Sequence, residues 1–138
     1  MNAVSMNIYL DIDGVLIHDG LQNYDLPVNG ALELLKVLTE KYSCYWLTTH
    51  CRGGENRAPE FLLRKLPEAK EYIEKIKPTE WSLWKTEAID FTKDFRWIDD
   101  DVYDQERSEL ERRGCLEKLI VVNLREEPDR LKNILTEL

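Results

Sequence analysis

Residues 6–16 read Met6-Asn7-Ile8-Tyr9-Leu10-Asp11-Ile12-Asp13-Gly14-Val15-Leu16, and this stretch decides the fold. An apolar run broken only by Asn7 leads straight into two carboxylates one residue apart, followed by a glycine. A short apolar run of this kind is a strand candidate. The i, i+2 spacing puts Asp11 and Asp13 on the same side if the strand continues, and Gly14 lets the chain turn sharply out of it. Two acids held this close repel unless a cation sits between them, and magnesium is the natural partner of an all-oxygen site. A solvated turn after a strand could carry the same residues. A calcium loop of the EF-hand kind fits less well, because its glycine and closing glutamate fall elsewhere and no strand precedes it.

Working outward, strands and helices alternate. Gly30 to Lys41 predicts an amphipathic helix, with Ala31, Leu34, Leu35 and Leu38 on one side and Glu33, Lys36 and Glu40 on the other. Cys44 to Leu47 predicts a second short strand ending at Thr48. Pro59 and Pro67 bracket a short helical piece, and Tyr72 to Ile76 is compatible with a strand or a helical turn. A helix is expected from Ser82 as N-cap, with Trp84, Ala88 and Phe91 on one face. Phe95 to Ile98 predicts a strand that stops at three aspartates, and Val102 to Arg113 a helix closed by Gly114. Leu119 to Val122 has the continuous apolar character of a strand buried on both faces. Pro128 opens a last helix with Leu131, Ile134, Leu135 and Leu138 toward the core. Such alternation implies right-handed crossovers and a parallel sheet in an α/β fold covered on both faces, whose functional groups gather at the carboxyl ends of the strands.

The chain has 138 residues, which suits a single domain, and no repeats, linkers or low-complexity segments divide it. Its formal net charge of −8 disfavours the phosphate contacts that drive duplex nucleic-acid binding. No apolar run approaches the roughly 20 residues of a membrane helix. The N-terminus lacks the basic flank and apolar stretch of a secretory signal, so a cytoplasmic location is expected. Cys44, Cys51 and Cys115 are odd in number and contain no CxxC pair, which argues against a disulfide framework and a zinc knuckle. Cys44 reads as a small buried hydrophobe.

Further chemistry-bearing residues stand at the predicted strand ends. Thr48 could donate to a phosphate oxygen or cap the next segment, and Thr49 beside it offers the same group. Lys85 lies near the start of its expected helix, where a cation is mildly unfavourable unless an anion binds beside it. Asp99, Asp100 and Asp101 follow an apolar strand directly and are electrostatically poor neighbours unless they bind metal or cap a helix, the latter being the preferred role of Asp101.

In order and placement, Asp-x-Asp-Gly, strand-end Thr, Lys and strand-end Asp-Asp resemble the haloacid dehalogenase (HAD) superfamily of phosphotransferases. The resemblance implies a three-layer Rossmann-like parallel sheet flanked by helices over residues 1–138. It also implies a magnesium-dependent phosphohydrolase or phosphotransferase acting on a phosphate monoester. Asp11 would attack phosphorus and become an aspartyl-phosphate. Asp13 would serve as acid and then base, and its backbone carbonyl would ligate Mg²⁺. Thr48 would bond the phosphoryl group, and Lys85 would neutralise charge on nucleophile and phosphate. Asp100 would complete the metal sphere, with Asp99 acting through a water or as a further ligand.

The branch that names the superfamily lacks the second aspartate, so Asp13 favours phosphate over carbon–halogen chemistry. Only Gly14 to Leu47 separates the first two motifs, leaving His18 to Asn29 as a flap-sized loop, and Thr49 to Lys85 is too short for a folded cap. A member without a separate cap domain is expected, with an open site that would suit a bulky substrate or need a lid from a partner. His18, His50, Arg52 and Arg57 would rim it, and Arg52 or Arg57 is a candidate for binding a substrate anion. Two other readings compete: a catalytically silent module keeping the fold, and a receiver-like phosphoacceptor domain. Repelling acids without a use argue against the first. The second places its acidic pair and phosphoacceptor on different strands.

Overall fold

β1 (Asn7–Leu10) is buried at all four positions and lies in the middle of the sheet. The computed structural model describes residues 6–20 and 25–138. The other strands are β2 (Ser43–Trp46), β3 (Phe95–Asp99) and β4 (Leu119–Val121), in the order β2-β1-β3-β4. All three pairings are parallel. Leu10 stands opposite Trp46 on one side and Ile98 on the other, so the three strands end at one level. The ladder runs slightly further: Asp11 N–H donates to Ile98 C=O at 3.0 Å, and Leu47 N–H to Leu10 C=O at 2.8 Å.

Period-two alternation sends successive strand residues to opposite sides. Ile8, Leu10, Trp46, Ile98 and Ile120 join one apolar cluster with residues of α1 (Ala31–Lys41), α2 (Ala58–Lys65), α3 (Lys70–Ile73) and α5 (Arg130–Ile134). Tyr9, Leu47, Phe95 and Trp97 join a second cluster with Trp81, Ile89 and Leu110, the last on α4 (Asp104–Arg112). The α/β character and the parallel sheet expected from the sequence are both found. No helix among the described residues is long and apolar enough to cross a membrane.

Local chemistry explains most element boundaries. α1 buries Ala31, Leu34, Leu35 and Leu38, the stripe its sequence predicts. α2 carries Pro59 in its first turn, where a missing N–H costs nothing, and stops just before Pro67. Tyr72 to Ile76 resolves as the end of α3 and the turn after it, not as a strand. α4 ends at Gly114, whose φ of +70° is the left-handed geometry that glycine accepts most readily. All three cysteines are buried free thiols, and burial pushes Cys44 up to about 12.

Two expectations need correction. The segment from Ser82 to Phe91 forms no full helix, only a 3-10 turn over Lys85–Ala88. Glu87 caps the start of that turn, its carboxylate accepting the N–H groups of Ser82, Leu83 and Trp84 at 3.0, 3.0 and 2.7 Å and the Ser82 hydroxyl at 3.1 Å. The turn stops after Ala88, where Ile89 is buried in the second apolar cluster. Ser82 is therefore a donor to Glu87, not an N-cap acceptor, and the chain returns to extended geometry at Ile89. Likewise β4 is not buried on both faces. It is a three-residue edge strand with Val121 exposed, and Arg130 Nε donates to the Val121 carbonyl at 3.4 Å. At the opposite edge Lys77 lies alongside β2, exchanging backbone bonds with Trp46 and Cys44 at 2.8 and 3.0 Å.

The loop expected from His18 to Asn29 includes Leu21–Tyr24, which lie outside the described residues. On its far side Asp25 pairs with Lys65.

Candidate functional site

Because β1, β2 and β3 end at one level, the residues that follow them meet. Asp11 and Asp99 are buried, 6% and 0% exposed, and Lys85 comes between them from its 3-10 turn at 7%. Lys85 Nζ donates to Asp99 Oδ2 at 2.7 Å and lies 3.4 Å from Asp11 Oδ2. Asp99 is also held by Trp97 Nε1 at 3.1 Å and by the Asp101 N–H at 3.0 Å. Its oxygens are thus occupied by protein donors, and it anchors the lysine. Lys85 is fixed from its backbone as well, since its N–H donates at 2.7 Å to Glu106, itself a buried carboxylate.

Asp100, half-buried at the end of β3, completes a group of acids. Asp11, Asp99 and Asp100 each offer one oxygen, and these oxygens lie within 4.8 Å of one another. Gly14 makes the approach possible. A Cβ at that position would stand 2.0 Å from Asp100 Oδ2, and the residue has φ +79°. The turn is closed by Gly14 N–H to Ile17 C=O at 2.8 Å, which leaves Asp13 half-buried at the cavity edge.

The charges are not balanced by the lysine alone. Burial, reinforced by the neighbouring Asp99 carboxylate, pushes Asp11 well above the ordinary carboxylate range, and the Lys85 ammonium opposes this only in part. Burial followed by Asp99 and Asp19 pushes Asp100 up to about 7. For Lys85, burial favours the neutral amine, but the Asp11 and Asp99 carboxylates outweigh it and raise the pKa above the ordinary value. Three carboxylates around one ammonium leave a site whose charge an additional cation would neutralise.

Asp11, Asp13, Thr49, Arg52, Lys85 and Asp100 line one cavity of about 520 Å³. Trp81, Leu83, Trp84 and Tyr103 line the same cavity and give it an apolar wall. Thr48 is fully buried, and its hydroxyl accepts the His50 N–H at 3.3 Å, so it caps the turn Thr49–Cys51. The exposed hydroxyl that lines the cavity belongs to Thr49. His50 Nε2 lies 2.9 Å from Asp13 Oδ2, with its ring stacked on Phe61 at 4.2 Å. Arg52 reaches over Trp81, 5.4 Å from the ring centroid, and its Nε donates to Ser82 C=O at 2.7 Å. Arg57 is not in this cavity. It lines a neighbouring groove with His50, Phe61 and Arg64 and pairs with Glu55 at 3.4 Å. His18 faces a separate hollow of about 790 Å³ beyond Asp100, with Asp19 and Arg125.

Sequence reasoning missed Glu106, Leu83 and Tyr103. Glu106 has a legible signal, a glutamate three residues after the N-cap of α4, where it accepts the Tyr103 N–H at 3.0 Å. Its second bond, to Lys85, depends on tertiary contact. Comparison with known proteins adds no relative: no family model matches the chain, and no curated protein or solved structure does.

Proposed function

We propose that this protein is a magnesium-dependent phosphohydrolase or phosphotransferase of the HAD type that acts on phosphate monoesters through a phosphorylated Asp11. The observation that carries the reading is the lysine-bridged acid cluster, Asp11–Lys85–Asp99 with Asp100 beside them, at the carboxyl ends of adjacent parallel strands. The two apolar clusters served by alternate strand residues support the three-layer arrangement that this reading includes. The absence of a separate cap belongs to it as well, and agrees with α2 and α3 being packed into the core.

The donor set suits a hard divalent cation, since every candidate ligand atom is an oxygen and the lysine does not balance the carboxylate charge. Asp11, Asp100 and the backbone carbonyl of Asp13 would hold it, with Asp99 behind them as the anchor of Lys85. Bound there, Mg²⁺ supplies positive charge between two anions that would otherwise repel, the nucleophile and the phosphate.

In the first step an Asp11 carboxylate oxygen forms a bond to phosphorus while the bond from phosphorus to the leaving oxygen breaks. Asp13 gives its proton to that oxygen. In the second step Asp13 takes a proton from water, the water oxygen bonds to phosphorus, and the acyl-phosphate bond to Asp11 breaks to release inorganic phosphate. Splitting the displacement in this way is covalent catalysis by a carboxylate. Lys85 favours the ionised form of Asp11, orients it and would face the phosphoryl oxygens. A threonine hydroxyl, from Thr48 or Thr49, donates to the same group. Thr49 lines the cavity, which favours it in this structure.

The test is hydrolysis of an aryl phosphate with and without Mg²⁺. Wild type is expected to turn over only with the metal. Asp11→Asn is expected to lose at least about a thousandfold in kcat. Equal rates for the two proteins would overturn the nucleophile assignment.

A further inference from the structure

We propose that the wall formed by Trp84, Tyr103 and Leu83 is the leaving-group subsite of this centre, built for a phosphomonoester whose alcohol carries a flat aromatic ring. The proposal rests on the phosphohydrolase reading and deepens it. Tyr103 and Leu83 are 59% and 58% exposed, two of the few large hydrophobic side chains so open among the described residues. Both line the cavity that contains Asp11 and Lys85. Water-exposed apolar side chains gathered beside a charged reaction centre mark a surface that a ligand covers.

The backbone under the wall is tied down by the carboxylates of Glu87 and Glu106. Trp84 and Tyr103 meet edge to face at 5.9 Å and 65°. The Glu87 carboxylate pins the backbone of Leu83 and Trp84. Glu106 accepts the N–H groups of both Tyr103 and Lys85, so one buried side chain sets the wall and the lysine in fixed relation. An aromatic surface ordered before binding loses little entropy when a ring stacks on it, and ring–ring contact adds to the burial of area. Arg52, over Trp81 at the same cavity, adds a cation that suits a ring or an anionic substituent on it. A phosphate seated at Asp11 and Lys85 would share one cavity with these side chains, which gives a ring on its alcohol a surface to cover.

Benzyl and n-propyl phosphonates test this by binding, because neither can be hydrolysed and they differ in the ring. Calorimetry on the full chain with Mg²⁺ is expected to give about tenfold tighter binding of benzylphosphonate, the equivalent of one well-made ring contact. Tyr103→Ser is expected to remove most of that preference, and Leu83→Ser, at an exposed side chain, part of it. No preference in wild type, or a preference that survives both substitutions, overturns the subsite. So does a wild-type dimer that Tyr103→Ser converts to monomer without any ring preference, since the wall would then be an interface between copies. Turnover of benzyl and n-propyl phosphate is read separately. If neither is hydrolysed while the binding preference holds, the reaction class fails and the wall stands only as a ring-binding surface, not as a leaving-group subsite. If both are hydrolysed with equal KM, the reaction class stands and the subsite falls.

Discussion

Replacing Gly14 by alanine should damage the acid cluster from the opposite side to any substitution of the acids themselves. The added Cβ meets two obstacles. At φ +79° a side chain costs about 1–2 kcal/mol in the left-handed region. The methyl would also lie 2.0 Å from Asp100 Oδ2 and 2.4 Å from its Cγ, so Asp100 must leave its place. Displacing a side chain off its rotamer costs about 0.5–1.5 kcal/mol. The expected loss is about 2–3 kcal/mol, or about 1–1.5 M in urea midpoint at an m-value near 2 kcal/mol/M. Urea unfolding of Gly14→Ala, Asp100→Ala and the double variant separates the contributions. Asp100→Ala removes both clashing atoms, so in that background Gly14→Ala should cost only the backbone strain of about 1–2 kcal/mol. An identical cost in both backgrounds would show that the close approach to Asp100 contributes nothing and would refute the reasoning.

Lys85→Met should destabilise the fold by about 3–5 kcal/mol, because Asp99 is left fully buried without its counter-charge. Thermal unfolding should show the double variant Lys85→Met/Asp99→Asn recovering part of that loss. With Asp11 and Asp100 both raised, the folded chain binds protons that the unfolded chain releases, so metal-free stability should be greatest below the ordinary carboxylate value of 3.8 as far as these two groups go. It should fall as pH rises toward about 7. Added Mg²⁺ should accordingly raise the melting temperature more at about pH 8 than at about pH 5, and a larger shift at the lower pH would contradict the cluster's role as a cation site. Glu106→Ala should strip two backbone donors at about 1–3 kcal/mol each, and hydrogen exchange should show lost protection at the Lys85 and Tyr103 amides.

The strands and α1 were legible because their cores follow plain periodicities, and the strand ends were legible because acids interrupt apolar runs. The turn at Lys85 was not. Trp84, Ala88 and Phe91 have helical spacing, but the chain leaves the turn at Ile89, whose side chain is buried in the second apolar cluster. Apolar spacing alone does not show where tertiary burial takes the chain out of a turn. β4 misled for a different reason: Leu-Ile-Val-Val is apolar throughout, yet an edge strand leaves one side open, and composition does not distinguish edge from centre. Among the site residues, Asp11, Lys85, Asp99 and Asp100 could be grouped through the family resemblance that their order carries, since each residue alone admits a plainer role. The exchange of position between Thr48 and Thr49, one capping and one facing the cavity, depends on the geometry of a single turn. Arg57 and Arg52 are close in sequence, but the turn and the start of α2 send them to different grooves.

The guanidinium of Arg130 has a consequence for how molecules of this protein meet one another. A parallel sheet with an open edge offers a template on which a second chain can add strands, the first step toward association and aggregation. Here the Val121 carbonyl on β4 already receives Arg130, which is itself held by Glu137, so an incoming strand would have to displace a charged, paired side chain. The edge at β2 is occupied by the backbone of Lys77. At each end of the sheet one of the chain's own residues thus occupies an edge position that an incoming strand would need.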